Sequence, residues 1–474
     1  MLLKIGKLKT QIITNNTELL KALQYHFSAQ YPGAGYSRAR GRGWDGKKYF
    51  VSPKGVFSTG LLEDVCLSLT KLGIKYELEW FEAEPCTISR ETVENFVLRD
   101  YQQQSVDEAL KRKRLIVKSP TGSGKTLIMA QIINSFPDSM ITVLFNSKHL
   151  LTQSYEFFKS CGIEDLGINF GEGFQHGRIM LSTVQSIKNI IDPYVAQSRV
   201  LMVDEVHEFC MGKVTLAAIS SFPEADFRFG FTATPPKDKY KLLNLKSAMG
   251  AIHEVVSVQE LIEDGNLTKP IIKTIKFKYP EEELENSWYD AYNDVYEKYV
   301  VQDQQKEQYL TELITDNIKL GSSQKHLVLV KSLDHLKRTK EALKKAGLDV
   351  FTIEGQDHLS DRYSSIDKFL KSKHGILIGT KVLQTGISID EITHFYNIRE
   401  LKSEIATIQA LGRSLRKHET KPVVYVYDFG STNVRYLEDH FKKRLTTYKK
   451  EGYEVIKHEH PIRTREEGKS TDRQ

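Results

Sequence analysis

Two short stretches carry the residue types of phosphate chemistry. Ser119-Pro-Thr-Gly-Ser-Gly-Lys-Thr126 lies where the apolar run RLIVK should end as a strand and TLIMAQII should begin as a helix. Gly122 and Gly124 let the backbone curl, so that the N–H groups of the Thr121–Gly124 turn, Ser123 included, point into one concavity at a helix N-terminus. Such amides and the helix dipole together hold phosphate oxygens. Lys125 is placed to reach the β and γ phosphates, and the Thr126 hydroxyl to ligate Mg2+. The usual GxxxxGK[ST] spacing begins here with Ser119, another small residue. Further on, VLMVDEVHEF puts Asp204 and Glu205 at the C-terminal end of a fully apolar strand, the edge of a parallel sheet at which ligands bind. Asp204 suits a magnesium held through water, and Glu205 suits a base for water attacking a γ phosphate. Taken singly, the first stretch could be a glycine-rich turn and the second a strand-end acid pair that caps a helix. In one α/β unit they describe a nucleoside triphosphate hydrolase that uses Mg2+.

The elements that must position these residues are legible from residue 112 onward. Short Val/Ile/Leu runs alternate with helix-length amphipathic segments, a pattern of strands buried on both faces and joined by crossover helices. One α/β domain is expected over residues 91–262 and a second over 306–435, with a connector at 263–305. A small α+β domain is expected at 1–88, and a helix followed by a charged tail at 436–474. With 474 residues the chain is too long for one core.

Charge is distributed unevenly. Residues 1–60 hold ten Lys or Arg against two acids, Glu18 and Asp45, while the whole chain carries +6. A basic segment on a near-neutral body is the footprint of a polyanion binder. Cys66, Cys86, Cys161 and Cys210 show no CxxC spacing, which argues against a zinc site or disulfide framework and for a reducing compartment. No window reaches the roughly 18 unbroken apolar residues of a membrane span. The expected location is the cytoplasm, or the host cytoplasm for a phage protein, with no membrane partner.

LRDYQQQ (98–104), SPTGSGKT, DEVH, FTATP (231–235), GTKVLQTGIS (379–388) and QALGRSLR (409–416) follow one another in the order of the superfamily 2 helicase motifs. The chain resembles the DExH-type DNA helicases of that family, and within them the phage recombination and branch-migration helicases. The resemblance implies two tandem RecA-like domains with parallel sheets, preceded here by the small α+β domain. It implies that Gln102, with Arg99 nearby, reads adenine, and that His207, Thr232, Thr234 and Gly386 couple the ATP site to the nucleic-acid track. Arg413 and Arg416, oriented by Gln409, would bring transition-state charge to the γ phosphate. Lys148, Gln153, Thr183, Gln185, Lys331, Ser332 and Thr380 match positions that contact the strand. The GTKVLQTGIS segment departs from the common GxDxP form by carrying Ser388 and Asp390.

The implied activity is ATP-dependent unwinding and branch migration of branched or partly single-stranded DNA, including forks, Holliday junctions and R-loops with their RNA–DNA hybrid, at 3′ to 5′ polarity, by a monomer. Two other readings stay open: the motor subunit of a nuclease or restriction complex, and an ATP-gated protein that binds or anneals DNA without hydrolysis. In YSRARGRGWDGKKYF (36–50), Arg38, Arg40 and Arg42 alternate at period two and would line a phosphate backbone from one side of an extended segment, joined by Lys47 and Lys48. Trp44, in a Gly-Trp-Asp-Gly turn, is expected in the core.

Overall fold

The computed structural model describes residues 1–34, 44–81, 86–171, 173–187, 197–210, 219, 222–284, 290–321, 323–354, 359–380, 390–402, 412 and 423–457. The chain forms two compact units, Met1–Ser257 and Val258–Gln474. No described helix is long and apolar enough to cross a membrane.

The first unit holds a four-stranded sheet, a two-stranded ribbon and an eight-stranded sheet. The N-terminal residues give β1 (Leu2–Ile5), β2 (Lys9–Ile13), α1 (Thr17–His26), β3 (Ser28–Gln30), β4 (Lys47–Tyr49), β5 (Val56–Ser58), α2 (Leu62–Lys71) and β6 (Glu77–Trp80). Alternation along β2 buries Thr10 and Ile12 and leaves Lys9, Gln11 and Ile13 outward, the period of two that a sheet covered on one face requires. Asn16 starts α1 by accepting the Leu19 N–H at 2.9 Å. The sheet order is β5-β2-β1-β6, with β3 and β4 paired as a separate ribbon. Leu3, Ile12, Leu23, Phe27, Phe57, Val65 and Leu69 fill this small core.

The first motor domain follows: α3 (Asp100–Arg112), β7 (Arg114–Lys118), α4 (Lys125–Asn134), β8 (Ile141–Phe145), α5 (Lys148–Ser160), β9 (Leu166–Phe170), β10 (Gly173–Gln175), β11 (Ile179–Thr183), β12 (Val200–Val203), β13 (Phe227–Thr232), α6 (Lys239–Met249) and β14 (Ala251–Glu254). The strands order as β10-β9-β11-β8-β12-β13-β7-β14, and every pairing is parallel except β9 with β10. Strands β8, β11, β12 and β13 are buried at every residue, as expected where helices cover both faces.

The small domain docks on this motor domain through α6. Leu243 of α6 belongs to the small domain's own core, and the Tyr240 ring meets Tyr31 and Phe50 edge-on. Lys246 pairs with Asp64 at 2.7 Å, and Lys239 donates to the His26 carbonyl at 2.9 Å. Gly60 lies so close to α6 that a Cβ there would collide with the carbonyl oxygens of Lys246 and Ser247. Arg112 reaches Glu63 at 2.8 Å, and Arg114 donates to the Lys7 carbonyl.

The second unit contains β15 (Lys269–Phe277), α7 (Gln304–Leu320), β16 (His326–Leu329), α8 (Leu333–Lys345), β17 (Val350–Ile353), α9 (Leu359–Lys371), β18 (Ile376–Gly379), β19 (His394–Asn397), β20 (Val423–Ser431), α10 (Leu437–Lys450) and β21 (Glu454–Lys457). Its parallel sheet runs β17-β18-β16-β19-β20-β15-β21. The expected connector at 263–305 is corrected here, because β15 pairs with β20 along its whole length. The expected end of this domain at residue 435 is also corrected, because β21 pairs with β15. The physical reason is that a half-buried apolar run such as KPIIKTIKF needs partners for its backbone N–H and C=O groups, and β20 and β21 supply them. Helix α10 is pinned by Arg444, fully buried against Asp428 at 3.0 Å and donating to the Phe429 carbonyl at 2.7 Å.

Candidate nucleotide-binding and coupling site

Three neighbouring strands, β12, β13 and β7, end at the site. The phosphate loop follows β7, Asp204 and Glu205 follow β12, and Thr232 closes β13 between them, opposite Lys118 in register. The order of strands therefore assembles residues that are more than a hundred positions apart.

The loop is braced from within. Gly122 and Gly124 take φ of 87° and 81°, the left-handed region that glycine enters without steric cost. Gly124 caps α4, so that Lys125 opens the helix. The Ser119 hydroxyl donates to Ser123 Oγ at 2.5 Å, and the Ser119 N–H donates to the Thr232 carbonyl at 3.1 Å. A glycine at position 119 could make only the second of these bonds. Lys125 Nζ rests 3.3 and 3.4 Å from the Ser119 and Pro120 carbonyls. Thr121 Oγ1 is buried without a hydrogen-bond partner among the described residues. Left-handed glycines, an orphaned hydroxyl and a helix N-terminus beside a lysine suit a triphosphate.

Asp204 and Glu205 differ in backbone as well as in role. Glu205 sits at φ 44°, a conformation unusual outside glycine and enriched at functional sites. Burial, reinforced by the neighbouring Glu205 carboxylate, pushes Asp204 up to about 7, against the pull of Lys125 and His207. A carboxylate so desolvated favours a cation, which fits Mg2+ held by Asp204 with the Thr126 hydroxyl. Bound there, the ion would neutralise phosphate charge.

A polar chain leads away from the acids. His207 Nδ1 lies 3.4 Å from Glu205 Oε2 and 2.8 Å from Thr232 Oγ1, and the Thr234 N–H donates to the same Thr232 oxygen at 3.1 Å. His207, Thr232 and Thr234 are all buried. The histidine and the TAT segment thus form one hydrogen-bonded element, with Glu205 within ion-pair distance of the histidine, and Ser119 ties it back to the phosphate loop.

Residues 95–237 match the family described as type III restriction enzyme, res subunit, and residues 305–418 match the helicase conserved C-terminal domain. The chain is a superfamily 2 helicase. A DNA helicase of Enterobacteria phage T4, uvsW, is 25% identical over 69% of this chain and 67% of its own length. The DNA 3′-5′ translocase XPB2 of Sulfurisphaera tokodaii is 24% identical over 74% of this chain and 85% of its own. The crystal structure of the Pyrococcus furiosus Hef helicase domain covers 73% of this chain and 98% of that one, with a TM-score of 0.53 at 15% identity. That likeness supports the pair of RecA-like domains in this helicase. The chain is accordingly an ATP-driven helicase, and the site described above is its candidate nucleotide site.

Several expected contacts take other roles in the helicase. Gln102 is buried; its amide oxygen accepts the Arg99 N–H and its amide nitrogen donates to the Ser123 carbonyl, both at 2.9 Å. The amide expected to read adenine also braces the phosphate loop. Tyr101, which the sequence reading missed, joins it by donating to the same carbonyl at 2.7 Å, with the Arg99 guanidinium on its hydroxyl at 3.0 Å. The only sequence signal for Tyr101 is its place beside Gln102 in LRDYQ.

Lys48 is corrected from DNA contact to structural residue. It bonds Asn244 Oδ1 at 2.6 Å over the Phe50 and Tyr240 rings, and burial, then Lys9, lowers its pKa. Thr183 is likewise buried, donating to Ser186 Oγ at 2.9 Å. Ser332 caps α8 by accepting the His335 N–H at 3.2 Å. Lys148, Gln153, Gln185 and Lys331 are exposed and Thr380 is half-buried, so these remain available to a strand. Trp44 is corrected from core to surface: it is 42% exposed, with its indole N–H on the Lys47 carbonyl at 3.0 Å. Arg38, Arg40, Arg42, Gly386, Gln409, Arg413 and Arg416 lie outside the described residues.

Proposed function

We propose that this helicase translocates on DNA and unwinds and branch-migrates branched DNA, with 3′ to 5′ polarity. The observation that carries the motor part is the run of contacts from Glu205, at 3.4 Å from His207, through the His207–Thr232 hydrogen bond, joined to the phosphate loop by Ser119. It gives ATP turnover a mechanical outlet: a change at the γ phosphate alters what Glu205 and His207 must neutralise, and Thr232 carries that change into the TAT segment.

In this reading Glu205 accepts the proton of the attacking water, Lys125 stabilises the phosphates, and Asp204 with Thr126 holds Mg2+. Arg413 and Arg416, oriented by Gln409, add charge as the transition state forms. Exposed Lys148, Gln153, Gln185 and Lys331 contact phosphates, which position a strand without reading its sequence. The names of the T4 and S. tokodaii relatives support DNA as the track. The basic N-terminal domain, fixed to the motor by α6, supports recognition of more than a bare single strand.

A panel of labelled substrates with ATP tests this: a fork, a four-way junction, an R-loop, and duplexes with either overhang. Unwinding of the fork and movement of the junction are expected, with turnover stimulated by a 3′ overhang. DNA-stimulated turnover with no movement of any three- or four-way junction would favour the motor of a nuclease complex, a reading that the description of the family matched at residues 95–237 also supports.

A further inference from the structure

The N-terminal domain carries an aromatic surface that the ATP-driven machinery does not use. Strand β4 alternates: Lys48 turns into the seam with α6, whereas Lys47 and Tyr49 fall on the opposite face. On that outer face Lys47 Nζ lies 4.3 Å above the ring of Tyr25, which stands 68% exposed at the end of α1. Tyr49 is 40% exposed and donates its hydroxyl to Asp45, whereas the Trp44 ring sits edge-on to Tyr31, which itself packs against Tyr240 of α6. Exposed aromatic rings usually scatter singly over a surface. Here two gather at one lysine, Tyr25 with the Lys47 ammonium over one face of its ring and Tyr49 held at its hydroxyl edge by Asp45, within the sixty residues that carry the chain's basic excess.

We infer that Tyr25, Lys47 and Tyr49 form a stacking platform for unpaired nucleotides. This deepens the proposed function and rests on DNA being the substrate. A duplex hides the faces of its bases and offers only phosphates, for which rings are poor partners. Splayed bases offer π-faces, which stack on tyrosine rings whatever the sequence, while a lysine neutralises the adjoining phosphate. Asp45, the one acid of the cluster, is engaged by the Tyr49 hydroxyl. The positive charge of the segment fits a polyanion and argues against an apolar peptide as occupant. Because the domain is joined to the motor through α6, bases held here lie at a fixed position relative to the ATP site.

Base-dependent binding tests the platform. The full-length protein is titrated with a fluorescent oligo(dT) strand and with an abasic strand of equal length and charge. Backbone contacts treat the two alike, whereas stacking on the platform favours oligo(dT) by roughly tenfold or more. In the double variant Tyr25→Ala/Tyr49→Ala the preference is expected to collapse toward unity with abasic affinity unchanged, and Tyr25→Phe/Tyr49→Phe is expected to keep it. Both pairs are exposed, and an unchanged melting curve verifies that each variant folds. An oligo(dT) preference that survives the alanine pair overturns the platform while leaving the motor reading intact. A wild-type protein that binds neither strand, with no DNA stimulation of turnover, overturns the DNA reading itself.

Discussion

The phosphate loop and the seam under the N-terminal domain lie in the same compact unit, yet they are held together in different ways. At the loop, six residues of fixed type interlock over a few ångströms: Ser119 bonds Ser123 and Thr232, Gln102 and Tyr101 bond the Ser123 carbonyl, and Gly124 leaves room for the Gln102 amide. At the seam, one helix offers an aromatic ring, an aliphatic side chain, two lysines and its bare backbone to a neighbour two hundred residues earlier. The loop needs particular atoms because its ligand is fixed by chemistry. The seam needs complementary shape, which many sequences could supply. Both bear on α6, since that helix begins a few residues after the TAT segment whose Thr232 hydroxyl meets His207.

Four perturbations test how separable these regions are. The largest effect is expected at the loop: Lys125→Ala or Glu205→Gln should lower DNA-stimulated phosphate release by roughly 10²–10³-fold while thermal melting and DNA binding change little. Near-normal turnover in either variant would remove the active-site assignment. Acid should then distinguish the two units. His394 of β19 is buried, stacked on His326 and held neutral, its pKa pushed down to about 4 by desolvation and by Lys273. Its folded pKa lies below the ordinary value of about 6.5, so the unfolded chain binds the extra proton and stability falls as pH drops from about 6.5 to 4, by up to about 3 kcal/mol. Denaturant melts should show this loss, and His394→Phe should flatten the slope; an unchanged slope would mean that the ring is not buried neutral.

At the seam, Gly60→Val forces a side chain onto the α6 carbonyls and should cost about 1–3 kcal/mol. Hydrogen exchange should then loosen in α1 and α2 while basal ATP turnover is kept. If turnover falls as far as in Lys125→Ala, the two regions work as one device. The smallest effect is expected for Lys246→Ala, which removes the 2.7 Å pair with Asp64: less than about 1 kcal/mol, shrinking further at high salt.

What could be read in advance follows the same division. The phosphate loop, the acid pair and the strand–helix alternation were legible because local spacing sets them: φ near 80° at Gly122 and Gly124, and a run of buried residues ending in Asp204. Tyr101 and the engagement of Gln102 were not legible, because both depend on where α3 packs against the loop. Lys47 and Lys48 look identical in sequence and have opposite fates, one over Tyr25 at the surface and one on Asn244 in the seam. Strand β15 read as part of a connector because its partners, β20 and β21, lie about 150 residues or more further along.

By itself the sequence determined the chemistry: a triphosphate cradle, two carboxylates at a strand end, the order of six helicase motifs, and a basic N-terminal segment. These rest on residue type and short spacing, which backbone geometry converts directly into local structure. Only the tertiary structure decided which lysine of a pair meets solvent, that Trp44 stands at the surface, that the N-terminal domain grips the motor through α6, and that the last described strand completes the second sheet. Each of those outcomes depends on which surfaces exclude water from one another, a property of the whole packed chain and of no single stretch of it.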